Sequence, residues 1–213
     1  MTPNTREHAG DRSKPAPRLD VRFALSATGL ANCPPREGPE VAFAGRSNAG
    51  KSSVLNRLTG NRRTAKVSKT PGRTRQLNFF SSPGGGYVVD LPGYGYAKAG
   101  RDAQAGWQAA VNDYLSHRDT LAAIVLVMDI RHPSQPFDQE LIDWAHASDL
   151  PMLILLNKAD KLKQGARQRV LRQVAGAVAA LPTVQVACFS AQTGLGAVEV
   201  VELIKGWLTP TDP

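Results

Sequence analysis

From Glu40 to the C-terminus, short apolar runs alternate with segments of helical period. The runs Val41–Ala44, Gln76–Phe80, Tyr87–Asp90, Ala122–Asp129, Met152–Asn157 and Val184–Phe189 predict six strands. The later ones, rich in Val, Ile and Leu, predict burial on both faces, as in a parallel sheet. Two stripes of period 3.6 predict amphipathic helices: Trp107, Ala110, Val111, Tyr114 and Leu115, then Val200, Leu203, Ile204, Trp207 and Leu208. Both stripes read as core. The glycines of "SSPGGGY" suit a hairpin between two adjacent strands. The pattern predicts a three-layer α/β/α domain whose six-stranded, mostly parallel sheet has one antiparallel edge strand. No internal repeat is present.

Ahead of this pattern, residues 1–39 hold six of the 15 prolines and no sustained periodicity. Residues 1–18 are expected to be a disordered tail and 19–39 a lead-in packed on the domain, followed by a domain over 40–209 and a tail over 210–213. A chain of 213 residues suits one domain with a sizeable core. Its net charge of +8 points to a polyanionic partner, nucleic acid or an acidic membrane surface, or to a merely basic face. The N-terminal charges precede no hydrophobic segment, so no secretory signal is expected. No apolar run reaches the roughly 20 residues of a membrane span, and residues 1–18 lack an amphipathic apolar face. Two cysteines, Cys33 and Cys188, in no C-x-x-C pair suggest a reduced, cytoplasmic protein.

Candidate chemistry begins directly after the first predicted strand. "GRSNAGKSS" spans Gly45–Ser53 and fits G-x-x-x-x-G-K-S. Gly45 permits a tight exit from the strand, and Gly50 lets backbone come close to a phosphate. Successive amides of Arg46, Ser47, Asn48, Ala49, Gly50, Lys51, Ser52 and Ser53 would form an anion nest with the next helix N-terminus. Lys51 reaches the β- and γ-phosphates, and the Ser52 hydroxyl ligates Mg²⁺. A nucleoside triphosphate site is expected.

"NKAD", Asn157–Asp160, lies at the end of another predicted strand. The Asp160 carboxylate can accept from the N1–H and exocyclic amine of guanine, which adenine does not offer together, and a carboxylate left unpaired rejects the wrong base. Lys158 would lie along the base while Asn157 braces the loop and Ala159 follows. The bland reading of these four residues is a helix N-cap. After the last strand comes "FSAQTG", in which Phe189, Ser190 and Ala191 would flank the base, the Ala191 N–H reaching O6; an ordinary turn capping the final helix is the other reading.

"DLPGYG" supplies Asp90, Leu91, Pro92 and Gly93: Asp90 for the Mg²⁺ shell through water, the Gly93 N–H for the γ-phosphate. A second hydroxyl ligand belongs in "KTPGRTRQ", with Gly72, Arg73, Thr74, Arg75 and Gln76 as contact candidates. Thr74 is the choice over Thr70 and Thr64. Release of both loops after hydrolysis would make a two-state switch.

Together these motifs are those of Ras-like, translation-factor-related GTPases. "PEVAFAGRSNAGKSSVLN", "SKTPGRTRQLNFF", "VVDLPGYGYAK", "DIRH" and "LNKADKL" resemble one bacterial family, the ribosome-assembly GTPase EngB (YihA or YsxC), of the TrmE-Era-EngA-EngB-Septin-like group. The resemblance runs from about Leu19 to Leu208; "SAQTG" departs slightly from the family's wording. It implies a P-loop GTPase fold, GTP and GDP as ligands with Mg²⁺, action on large (50S) ribosomal subunit precursors, and division and septation defects downstream of failed ribosome supply. A monomer is the default.

In Ras-type enzymes a glutamine follows the "DxxG" glycine; here that position is Tyr94, so slow intrinsic hydrolysis is expected. The resemblance implies K⁺ ligation by Asn48, as in potassium-activated relatives; the alternative is that Asn48 only shapes the loop. Lys51, Thr74 and Asn48 are thus the candidate catalytic residues. Arg73 and Arg75 offer a cis arginine or a basic face. From Arg57 to Arg75 the basic residues Arg57, Arg62, Arg63, Lys66, Lys69, Arg73 and Arg75 meet no acid, and Lys158, Lys161, Lys163, Arg167, Arg169 and Arg172 form a second run. With the resemblance, the first run reads as an rRNA-binding switch region. Competing readings are a P-loop kinase or ATPase, which leaves "NKAD" unexplained, and a non-catalytic GTP-dependent septation scaffold. His8, His117, His132 and His146 are scattered and carry no assignment.

Overall fold

The computed structural model describes residues 17–61, 64, 76–94 and 101–210, the side chains of 101–108 excepted. Seven strands form one sheet in the order β1-β3-β4-β2-β5-β6-β7. They are β1 (Arg22–Ala27), β2 (Glu40–Gly45), β3 (Leu77–Ser81), β4 (Tyr87–Asp90), β5 (Leu121–Asp129), β6 (Met152–Asn157) and β7 (Val184–Cys188). Among the described residues five α-helices connect them: α1 (Lys51–Thr59), α2 (Arg101–His117), α3 (Pro136–Ala147), α4 (Gln164–Ala177) and α5 (Ala197–Leu208). The six expected strands are all present, with ends shifted by about one residue.

The expected count of six and the antiparallel edge are corrected by β1. Arg22–Ala27 lies inside the lead-in and pairs antiparallel with β3, which is itself antiparallel to β4. The reversed strand is therefore β3, one place in from the edge. Phe23, Leu25 and Ala27 fall on every second position, but the apolar Ala24 between them, a register shift between Phe23 and Leu25, and the prolines on either side hide the period in the sequence. Phe23 is 61% exposed and meets the buried Phe80 ring edge-on at 5.9 Å. The lead-in is fastened further by the Leu19 N–H, which donates to the Leu58 carbonyl at 2.9 Å. The Ser82–Gly86 turn closes the β3–β4 hairpin as expected.

The parallel strands β2, β5 and β6 are apolar on both faces, so helices must cover both. On one face, α1 and α5 bury Val54, Leu55, Leu58, Val200, Val201 and Ile204 against Phe43, Val125 and Leu155. On the other, Tyr114, Ile142 and Val174 from α2, α3 and α4 pack over Ala42, Leu126 and Ile154. β7 is the exception to two-sided burial: it forms the far edge and its residues stay partly exposed. Of the two predicted stripes, Tyr114, Val200, Ile204 and Leu208 are buried; the Trp107 side chain lies outside the described residues.

A charged cluster sits under the start of β2. Glu40, fully buried, accepts from the Arg118 guanidinium (2.6 Å), the Tyr114 hydroxyl (2.7 Å) and the Thr120 hydroxyl (3.0 Å). Arg118 also donates to the Pro34 carbonyl at 2.8 Å. Burial, with Glu40 alongside, holds the Tyr114 hydroxyl well above its ordinary pKa.

Candidate nucleotide site

Because β2, β4, β5, β6 and β7 run the same way, their C-terminal ends bring five loops to one edge of the sheet. The loop after β2 turns from Gly45 through Gly50 into α1. Asn48 takes a left-handed conformation (φ 69°), and Gly50 another (φ 97°), where a Cβ would sit 2.4 Å from Asn157 Nδ2. Glycine is thus required there twice over, by conformation and by space. No side chain caps α1, which leaves its first amides facing the loop. Those amides and the dipole behind them make an anion site.

The loop after β4 lies against this one. Arg46 and Tyr94 pair as in a parallel bridge, and the Ser47 N–H donates to the Tyr94 carbonyl at 2.8 Å. Gly93 abuts Ser47 so closely that a Cβ would meet its Oγ at 3.3 Å and its N at 3.4 Å. The Lys51 ammonium, buried, is bonded to the Asp90 carboxylate. Each neutralises the other, and both stand beside the glycine-rich loop. Leu91 is core, as are the side chains of Ala49 and Phe189, so these positions can offer a ligand only main-chain atoms. Pro92 is buried beside the exposed Gly93.

Tyr94 is buried away from the loop surface. Its ring stacks on Phe137 at 5.3 Å and its hydroxyl donates to Asp138, the residue that also accepts from the Gln135 N–H at 2.9 Å. Burial, with the adjacent carboxylate, pushes the Tyr94 hydroxyl far above its usual pKa, and burial likewise raises Asp138.

The loops after β6 and β7 close the site. Asn157 joins three of its segments: Nδ2 donates to the Ala49 carbonyl at 2.9 Å, and Oδ1 accepts from the Ala191 N–H at 3.2 Å. Lys158, left-handed at φ 64°, sends Nζ to the Asn48 carbonyl (2.6 Å) and to Asp129 Oδ2 (2.9 Å). Although desolvation opposes it, hydrogen bonds from Arg131 and Lys158 hold Asp129 below the usual carboxylate range. Asp160 accepts from Ser190 Oγ at 2.6 Å, the main cause of its lowered pKa, and lies 3.2 Å from Lys161. The N-cap reading of this motif holds in one respect, since Lys158 precedes a single 3-10 turn over Ala159–Lys161. In the last loop, the Thr193 N–H donates to Ser190 Oγ at 3.1 Å, and Gly196 precedes α5.

The structure thus brings together Gly45–Ser53, Asp90–Gly93, Asn157–Asp160 and Phe189–Ala191 at one edge of the sheet. Gly72, Arg73, Thr74 and Arg75, together with Thr70 and the basic residues at 62, 63, 66 and 69, lie outside the described residues. Gln76 is exposed just before β3, and Thr64 Oγ1 bonds Thr59 Oγ1 at 3.0 Å. Asp129 and Arg131 were missed as site residues. The sequence offers one signal for them, an acid that ends a strand at this edge of the sheet, in the "DIRH" run.

The donor set suits Mg²⁺. Ser52 places a hydroxyl in the first turn of α1 and Asp90 ends β4 with a carboxylate, two hard oxygens of the kind this ion takes. The carboxylate is 6% exposed, with Lys51 as its present counter-charge.

Known proteins resemble this chain in sequence and in fold. A family model described as "50S ribosome-binding GTPase" matches residues 40–158. A "probable GTP-binding protein EngB" of Tolumonas auensis is 48% identical over 193 residues, 90% of this chain and 91% of its own length. That of Idiomarina loihiensis is 50% identical over 188 residues, 88% and 91%. Among solved structures, one described as a probable GTP-binding protein EngB superposes with a TM-score of 0.64 at 24% identity, covering 79% of this chain and 98% of its own. Era, in complex with MgGDPNP and part of 16S ribosomal RNA, superposes with a TM-score of 0.63 at 24% identity, covering 83% and 59%. Both superpositions speak to the fold.

Proposed function

The chain belongs to the EngB family of P-loop GTPases, and from that membership we propose that it is a slow GTP-driven switch acting on precursors of the large ribosomal subunit. Asn157 carries the reading of the site: one amide ties the phosphate loop at Ala49 to the base loop at Ala191, so the two ends of a nucleotide would be read by one rigid frame.

In this reading the amides of Arg46–Ser53 receive the β- and γ-phosphates. Lys51 leaves Asp90 for the phosphate oxygens when nucleotide enters, exchanging one anion for another. Ser52, Thr74 and Asp90 would hold Mg²⁺, Asp90 through water, and the ion would supply charge neutralisation to the phosphates. The Gly93 N–H faces the γ-phosphate. Asp160, fixed by Ser190, accepts from the guanine N1–H and amine, the Lys158 stem lies along the ring, and the Ala191 N–H reads O6. Gly72–Gln76 are the contact candidates that the switch loop would contribute.

Tyr94 makes hydrolysis slow. Its hydroxyl is committed to Asp138 and its ring to Phe137, so this position orients no water. Activation then comes from outside: the subunit itself, or K⁺, which Asn48 would hold and which would supply positive charge to the transferring phosphate. Asn48 is exposed and its carbonyl is already fixed by Lys158, which leaves the side chain to meet the ion.

The family description and the acid-free basic run from Arg57 to Arg75 support an rRNA partner, bound while the switch loop is ordered by GTP. Division and septation depend on it through ribosome supply. No helix among the described residues is long and apolar enough to cross a membrane. The test is co-sedimentation with large subunits. Binding under a GTP analogue that is lost under GDP and weakened steeply by salt is expected; equal binding in both states, or none, overturns the proposal.

A further inference from the structure

Arg57 stands near the end of α1, six residues after the lysine that opens it. By charge alone it belongs with the basic run that follows. The structure uses it otherwise. Its Nε donates to the Ala191 carbonyl at 2.6 Å and its Nη2 to the Gln192 carbonyl. The loop's own bonds run elsewhere: Gly194 N–H to the Ser190 carbonyl (2.8 Å), Ser190 N–H to the Leu195 carbonyl (3.1 Å) and Thr193 N–H to Ser190 Oγ (3.1 Å). Among the described residues Arg57 is the donor that both carbonyls take. Gly194 lies beside it, a Cβ there falling 3.9 Å from Nη1.

A planar guanidinium that grips two successive carbonyls fixes the rotation of the peptides carrying them, 191–192 and 192–193, as a single flexible ammonium cannot. The Ala191 N–H lies on the preceding peptide, whose Ser190 carbonyl is held by the Gly194 N–H, so the Ala191 Cα is fixed from both sides. The Ala191 N–H is directed at Asn157 Oδ1 over a long 3.2 Å. Such a bond is readily exchanged for a better acceptor at the same place. We infer that Arg57 is a positioning residue for purine recognition: by clamping the Ala191 and Gln192 carbonyls it holds the Ala191 Cα in place and so keeps the Ala191 N–H aimed at the exocyclic O6 of guanine. α1 then begins at the phosphates and ends on the base loop, so one helix sets both ends of the pocket. This rests on the reading of Ala191 as the O6 contact.

The test compares GDP with 6-thio-GDP, which keeps the N1–H and amine read by Asp160 but replaces O6 with a sulfur, a weak acceptor. Full-length Arg57→Ala should lose about tenfold in affinity for GDP, the order expected for a charge-assisted pair, and about twofold or less for 6-thio-GDP. Arg57→Lys, which keeps one carbonyl, should fall between. Partial unfolding would lower both affinities alike, so their ratio isolates the amide. An equal fall for both nucleotides, or none for either, overturns the inference. Equal binding of ADP and GDP by the unaltered chain would instead remove the guanine site itself, and the inference with it.

Discussion

The hydroxyl of Tyr94 donates to Asp138 in the first turn of α3, and this bond ties the loop after β4 to the helix after β5. The residue standing where a water-orienting glutamine would stand is thereby a strut. Tyr94→Phe should leave a buried carboxylate short of one partner and cost about 1–3 kcal/mol in denaturant unfolding. GTP turnover should stay within about twofold. A large drop in turnover with unchanged stability would return Tyr94 to the reaction.

Asp160 decides the base in the proposed site. Asp160→Asn replaces an acceptor with an amide that can donate to the C2 oxygen of xanthine. Affinity for GDP should fall by at least about 100-fold, because the guanine donors lose their acceptor, while XDP gains. Calorimetric titration of both nucleotides checks it; unchanged GDP binding would refute the assignment.

Asp129 links Arg131 to Lys158, and its folded-state pKa lies below the ordinary value. A lowered carboxyl pKa favours the fold fully above the unfolded-state value near 4 and loses that contribution as pH falls through the folded-state value. Asp129→Asn should therefore be less stable than the unaltered chain at pH 7, by about 1 kcal/mol for a part-exposed pair, with the gap closing toward pH 2. Urea titrations at several pH values measure it.

Potassium at Asn48 predicts faster turnover in KCl than in NaCl at equal ionic strength, and loss of the difference in Asn48→Ala. Identical rates in the two salts would remove the ion from the mechanism.

Removing one partner of the Glu40–Arg118 pair should be among the costliest single changes in the described core. Arg118→Met strands a fully buried carboxylate, and about 3–5 kcal/mol of stability should go with it. Thermal unfolding of nucleotide-free protein reads this directly.

Sequence periodicity located six of the seven strands, because each is an apolar run bounded by glycine, proline or a polar turn. Gly45–Ser53, Asp90–Gly93 and Asn157–Asp160 were legible as ligand loops because each follows such a run directly. β1 escaped because its alternation is broken at Ala24, it lies between prolines, and its partner, β3, is some fifty residues away, as the Ser26–Asn78 bond shows. Long-range pairing is not written in local period.

The sequence on its own determined which chemical groups are available and in which loops, since spacing and residue type are local properties. Only the tertiary structure decided how those groups are engaged. Tyr94 faces Asp138, Lys51 holds Asp90, Asp129 steadies Lys158, and Arg57 closes on the loop after β7. Every one of these contacts joins segments more than twenty-five residues apart. Each forms because parallel strands deliver separate loops to one edge, and the partners then satisfy each other's charge or hydrogen-bonding capacity.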